Sequence, residues 1–192
     1  WADVNGNSTT LGSTNTNENP LWMLYENTNQ DKRNRIIGGL SATINFSSKF
    51  SFKTQASTDI LSFNAFNYRE LGGLRTPRGA YNTTTQTNQM WDYQGMFTYR
   101  DKYAKDFSLQ ANVGAEYVLN NNQMKYASTD ALLAHDMPSI QNTTSPPLSR
   151  ESLLKSNVQS ILGDLTLGYK ELLFINVTGR NDWSSTLPSD NR

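Results

Sequence analysis

The chain has few of the residues that most often catalyse reactions or bind metals. The 192 residues include one histidine and no cysteine. His135 stands beside Asp136 in a proline-bounded segment, which leaves a Ser/His/Asp arrangement open, but no nucleophile motif accompanies it. Asp3, Asn5 and Asn7 are spaced like the first ligands of a calcium loop, yet the bidentate acid of such loops is missing. We therefore expect no enzyme activity, no metal and no cofactor.

Binding residues are better represented, as flat or forked side chains in polar, irregular segments. Aromatic faces stack on sugar rings, and guanidinium groups bind carboxylates. Each such residue could equally pack its own segment or contact a partner protein, so both interpretations stay open. The candidates for substrate binding are Trp22, Tyr68, Arg69, Arg75, Tyr81 and His135.

Strands must position these residues, and 107–119 is the clearest one. Every second residue from Phe107 to Leu119 is apolar or aromatic, while the intervening row includes Gln110, Asn112 and Glu116. A period of two predicts a strand with one apolar and one polar face. At about 3.3 Å per residue it reaches about 40 Å, enough for a tilted strand to cross a bilayer. Taken alone, the segment would also suit a long strand on a soluble sheet.

The same alternation predicts five further strands, at about 35–46, 50–60, 89–99, 160–169 and 173–182. Three tight turns join strands in pairs, near 47–49, 102–106 and 170–171. The remaining polar segments are predicted to be extracellular loops at about 1–34, 64–88, 120–156 and 183–192. Short turns at one end and long loops at the other are typical of antiparallel transmembrane β-barrels of the outer membrane.

Aromatic residues of the apolar rows are sorted toward the strand ends. Bilayers select two such belts, one at each interface. The residues predicted to form them are Phe46, Phe50, Tyr99, Phe107 and Tyr169 near the short turns, and Trp91, Tyr93 and Tyr117 near the long loops. This sorting favours a membrane barrel over a soluble sandwich.

The opposite row is predicted to line a lumen or to contact a plug inside it. Arg180 and Asp182 are two residues apart and so share a face, where they could hold a plug or pair with each other; we favour the pair. The full set is Lys53, Asp59, Asp92, Gln94, Gln110, Asn112, Glu116, Arg180 and Asp182.

Composition excludes several other classes of protein. The formal net charge is zero, so the chain lacks the basic surface that nucleic-acid binding requires. No run approaches the roughly 18 apolar residues of a membrane helix. Without cysteine, disulfide scaffolds and thiolate metal sites are excluded as well.

Three segments resemble the SusC/RagA family of TonB-dependent outer-membrane transporters. The most specific is the run from Gly179 to Pro188, GRNDWSSTLP; NPLW at 19–22 and DKRNRIIGG at 31–39 support it. The resemblance covers most of 19–192. It implies a barrel of about 22 strands around a plug, of which this chain would be a middle arc, with the plug and the C-terminal strands absent.

The function implied by this resemblance is energised nutrient import. TonB would act through the missing N-terminal part, a SusD-like surface lipoprotein would cap the barrel, and oligosaccharides or peptides would be the cargo. Outer-membrane lipid would surround the wall. A passive porin or a surface adhesin is the alternative, and a barrel hydrolase is less favoured.

Overall fold

The computed structural model describes residues 2–10, 17–103 and 106–188, which form one short helix and six strands. The strands pair in sequence order, β1-β2-β3-β4-β5-β6, in one open antiparallel sheet. No helix among the described residues is long and apolar enough to cross a membrane. The elements are α1 (Pro20–Tyr25), β1 (Thr28–Asn45), β2 (Phe50–Arg69), β3 (Ala80–Tyr103), β4 (Phe107–Thr129), β5 (Leu148–Tyr169) and β6 (Leu173–Ser184).

The strands are longer than the alternation predicts. β3 has 24 residues and β4 has 23, whereas about 9–11 residues suffice to cross a bilayer. The predicted loops 1–34, 64–88 and 120–156 are therefore wrong in extent, because strands occupy 28–34, 64–69, 80–88, 120–129 and 148–156. Segments such as 81–88 are polar on both rows, so no hydrophobic period marks them as strands.

The loops proper are 70–79 and 130–147. In the last predicted loop, 183–192, β6 ends at Ser184, and residues 189–192 lie outside the described part. That all these segments are extracellular stays a prediction.

The short turns are confirmed where the structure describes them. Between β5 and β6, Lys170 and Glu171 have φ angles of 50° and 57°, and the amide of Leu172 donates to the carbonyl of Tyr169 at 3.0 Å. Two consecutive positive φ angles are the mark of the hairpin turn whose twist matches its strands. Between β1 and β2, the Ser47 hydroxyl accepts hydrogen bonds from the backbone amides of Lys49 and Phe50.

The chain divides into two compact units, and β1 to β5 each contribute residues to both. The first unit comprises 1–34, 61–87 and 123–153. It contains the apolar core of the described residues, formed by Trp22, Tyr68, Ala131 and Leu132. Loops as well as strands supply this core, so the irregular segments of the first unit are packed.

The second unit comprises 35–60, 88–122 and 154–192 and has two chemically distinct faces. On one face, which we call the aromatic face, rings from neighbouring strands lie 4.5–4.9 Å apart between centroids. Such pairs add to the stability that burial alone provides. The pairs are Phe50–Tyr99, Phe52–Phe97 and Phe107–Tyr169. All these residues belong to the predicted apolar rows, which confirms the period-two alternation.

Gly114 of β4 lies where the backbone of β3 comes close. A Cβ atom placed on it would lie 2.5 Å from the carbonyl oxygen of Gly95 and 2.9 Å from the Sδ atom of Met96. Backbone cannot yield as a side-chain tip can, so only glycine fits without moving a strand.

We predict that Gly114→Ala destabilises the folded barrel by about 1–3 kcal/mol, since an added group without space forces neighbouring backbone to shift. The measurement is the melting temperature of the full-length protein in detergent. Unfolding is detected by the change in its migration in gels after heating. Gly38→Ala is the matched control, because a Cβ atom at Gly38 in β1 meets nothing within 4 Å. Equal melting temperatures for the two variants would contradict the prediction.

Candidate functional site

Arg180 ties three strands together on the side opposite the aromatic face, which we call the polar face. Its guanidinium donates to Asp182 on its own strand at 2.7 Å, to Ser160 on β5 at 3.0 Å, and to Glu116 on β4. Ser160 is buried. The pairing of Arg180 with Asp182 agrees with the interpretation favoured from the sequence. The additional Glu116 contact, 64 residues away, carries no local sequence signal.

Other polar groups are bridged across strands in the same way. The Asn112 side chain accepts from Thr98 at 2.7 Å and donates to Asp164 at 2.8 Å, so it links β3, β4 and β5. Arg35 and Asp59 form an ion pair between β1 and β2. Because contacts between adjacent strands require a shared face, they support the predicted polar row. The residues of the predicted polar row that form these hydrogen bonds are Asp59, Gln110, Asn112, Glu116, Arg180 and Asp182. The other three residues of the row, Lys53, Asp92 and Gln94, follow the same alternation in the sequence.

We predict that Arg180→Gln lowers the melting temperature of the full-length barrel, because it leaves the carboxylates of Glu116 and Asp182 without their shared cation. Arg100→Gln is the control on the same face, since the Arg100 side chain donates to the neutral Gln110 at 3.0 Å and forms no ion pair with an acid of the described residues. The comparison is thermal unfolding of both variants in the same detergent. An equal loss from both would mean that the shared cation contributes nothing specific.

In the first unit, Glu70 joins the loop 70–79 to the loop 130–147. Its side chain is 3% exposed. One carboxylate oxygen accepts from the Tyr68 hydroxyl at 2.6 Å and from the backbone amide of Asp136 at 2.9 Å. The other accepts from the Leu71 amide at 2.7 Å and lies 3.1 Å from Nδ1 of His135. A buried carboxylate with this many donors is held firmly in place.

The surroundings of Glu70 bring two more segments to the same point. Its own backbone amide donates to the side-chain oxygen of Asn27 at 3.1 Å, which follows α1. The carboxylates of Glu26 and Asp136 lie within 4.8 Å of that of Glu70. Both Glu70 oxygens already accept hydrogen bonds, so this acidic group is explained as a structural junction. The sequence did not identify Glu70, since the partners that make it a junction between two loops, His135 and Asp136, lie more than 60 residues away.

Asn142 fixes the loop 130–147 from within. It is 2% exposed, its oxygen accepts from the amides of Leu133 and Ala134, and its nitrogen donates to the carbonyls of Ala134 and Met137. All four distances are 2.8–2.9 Å. One side chain thus satisfies backbone groups that an irregular segment would otherwise leave unpaired.

We predict that Glu70→Gln loosens the junction by about 1–3 kcal/mol, because the amide nitrogen would face at least one backbone donor whichever way it turned. The expected result is faster hydrogen exchange at the amides of Leu71 and Asp136. Asp130→Asn is the isosteric control, since the exposed carboxylate of Asp130 belongs to the same loop but not to the acidic group around Glu70. Unchanged exchange in Glu70→Gln would show that the carboxylate does not hold the two loops together.

Two of the six candidate substrate residues are corrected by their burial. Trp22 is 1% exposed and Tyr68 is 4% exposed, so neither ring offers a face to a ligand. Trp22 lies in α1, whose N-cap Asn19 accepts from the Leu21 amide at 3.0 Å, and the helix turns the indole into the core. A large aromatic side chain in an otherwise polar segment buries more apolar area than its neighbours can, so it packs into the core.

The other four candidates retain surface. His135 faces Glu70, and Tyr81 packs beside Phe66 with ring centroids 5.9 Å apart. Arg69 and Arg75 are exposed and line one cavity of about 260 Å³. The structure therefore brings two of the predicted residues together, and substrate binding by any of the four stays a prediction.

One aromatic residue of the predicted belts, Tyr99, is hydrogen-bonded to a charged pair near the short turns. The Lys49 ammonium donates to Asp101 at 2.7 Å, and this hydrogen bond raises the pKa of Lys49 above its ordinary value. Asp101 also accepts from the Tyr99 hydroxyl at 2.9 Å, and Tyr103 lies 2.8 Å from the same hydroxyl. Large exposed aromatic residues of the predicted belts are Phe46, Phe50, Trp91, Tyr93, Phe107 and Tyr169, and Tyr117 is half-buried.

These features define an all-β sheet of long antiparallel strands with one aromatic and one polar face. No protein-family model matches the sequence, and no curated protein matches it. Solved structures do match. The structure of the RagAB peptide transporter aligns with a TM-score of 0.85 and 17% identity, covering 97% of this chain and 22% of that one.

Two further structures give the same result. The RagAB peptide importer in the "closed-closed" state aligns with a TM-score of 0.86, and the "open-open" state with 0.79, each at 18% identity. Each match covers 98% of this chain and 22% of the other. The resemblance inferred from the sequence motifs is thus confirmed for the fold: the six strands are those of part of such a barrel, and the chain spans about a fifth of the length of the chains it matches.

Proposed function

We propose that this chain forms an arc of the wall of an outer-membrane β-barrel that imports nutrients with energy from TonB. The cargo would be oligosaccharides or peptides, and a SusD-like lipoprotein would be the surface partner. The observation that carries the proposal is the match of all six strands to part of the RagAB importer chain.

The chemistry of the two faces supports a place in a membrane. The aromatic face presents large exposed side chains such as Ile36, Leu40, Phe97 and Val113, a surface that water disfavours and lipid accepts. The polar face carries the network around Arg180 and Asn112, which suits a wet or plug-filled lumen. A sheet with one lipid face and one polar face is what the wall of a large barrel requires.

The packed loops of the first unit support a role in capture. Glu70 and Asn142 hold the loops 70–79 and 130–147 in defined conformations. Ordered loops lose less conformational entropy when they bind than mobile ones do. We therefore assign cargo or lipoprotein contact to this end of the strands.

The test uses cells that carry the full-length protein, with and without functional TonB. We expect uptake of labelled oligosaccharides or peptides only when TonB is functional, and co-purification of a lipoprotein with bound cargo from solubilised outer membranes. Ion conductance in planar bilayers without TonB, together with no lipoprotein and no cargo, would overturn the proposal in favour of an open porin.

A further inference from the structure

The cavity in the first unit has a chemistry that the strands alone do not explain. It measures about 260 Å³ and is enclosed by three segments: 18–29, 67–69 and 75–76. Its wall contains two guanidinium groups, three carboxamides and two threonines, together with Met23, Tyr68 and one carboxylate, Glu18. The carboxamides and guanidinium groups belong to Asn27, Asn29, Asn67, Arg69 and Arg75.

The two arginines are available to a ligand. Among residues 2–10, 17–103 and 106–188, neither Arg69 nor Arg75 has an acidic partner within 4.0 Å, whereas Arg33, Arg35 and Arg180 do. A guanidinium presents a planar fork of donors that matches both oxygens of a carboxylate. Two such forks on one small cavity favour an anionic group inside it.

One of the two carboxylate oxygens of Glu18, the acid of the wall, is engaged by the protein. Glu18 accepts from the backbone amide of Leu74 at 2.8 Å, which directs that oxygen to the protein. The oxygen of Asn27 likewise accepts from the amide of Glu70, so the Asn27 amide nitrogen is the group left for a ligand. The wall therefore offers mainly donors.

The cavity is also held in shape from several sides. Glu18 fixes the segment before α1 to the loop 70–79, and Asn27 fixes the segment after α1 to the end of β2. The buried Trp22 anchors the helix between them. A site whose walls are positioned in advance avoids the cost of ordering them on binding.

We propose that this cavity, with Arg69 and Arg75 as its charged contacts, binds the carboxylate of a small anionic cargo. The inference rests on the proposed import function and adds a chemical class to it. A peptide C-terminus and a uronic acid share this group. The size of the cavity suits the end of an oligomer, with the neutral remainder lying outside.

The test measures binding of matched probes to the purified full-length protein in detergent by calorimetry. One pair is an N-acetylated pentapeptide of alanine and serine with a free or an amidated C-terminus. The other is trigalacturonate and its methyl ester. Within at least one pair we expect the free carboxylate to bind about tenfold more tightly or better, as charged hydrogen bonds of this kind allow.

The variants locate that preference. In the double variant Arg69→Gln and Arg75→Gln, the affinity ratio within the pair should fall to about one. Arg78→Gln is the matched control, since Arg78 is exposed in the same loop but does not line the cavity, and it should keep the wild-type ratio. Heat-modifiable migration establishes that each variant is folded.

A preference in the peptide pair, the sugar pair or both that is lost in the double variant supports the proposal and names the source of the carboxylate. A ratio of one in both pairs of the wild type, an unchanged preference in the double variant, or an equal loss in Arg78→Gln overturns it. Uptake that still depends on TonB would then leave the import proposal standing, whereas uptake independent of TonB would refute import whatever the cavity binds.

Discussion

Hydrogen bonding between neighbouring strands is the constraint on which the other features of the structure depend. Each of β2 to β5 has a neighbour on both sides, so its backbone donors and acceptors are used within the sheet. In lipid an unpaired backbone group would cost about 2–7 kcal/mol. Because the backbone is satisfied in this way, side chains are free to sort by face: rings on one side, and the groups around Arg180 and Asn112 on the other.

The alternation in the sequence was enough to identify six strands, their tight turns and the two faces. It failed for the outer parts of the strands. Residues 81–88 form a strand, yet both of its rows are mostly polar, so no hydrophobic period marks it. The helix α1 has only six residues, too few to establish a helical period. A period-two pattern therefore identifies a strand only where one row is apolar and the other is polar.

The site was predictable to a lesser degree, and for a related reason. Residue type alone selected Arg69 and Arg75 as binding candidates, and both are exposed and line one cavity; it also selected Trp22 and Tyr68, which are buried. Glu70 was missed because its partners, His135 and Asp136, are remote in sequence. A carboxylate in a polar segment resembles any other surface acid until the distant donors are known. Long-range hydrogen bonds are therefore the part of this molecule that the sequence conceals.

Asn142 has a consequence for how such a protein can diverge. Its four hydrogen bonds all return to 133–137, so the loop itself encodes most of the shape of this stretch, and Glu70 adds one hydrogen bond from outside the loop. The exposed segment 145–147, between Asn142 and β5, can be exchanged without disturbing the buried Ala131 and Leu132. Selection can then change the exposed surface of this loop while the six-stranded sheet stays constant, so the loop can vary as a module of its own.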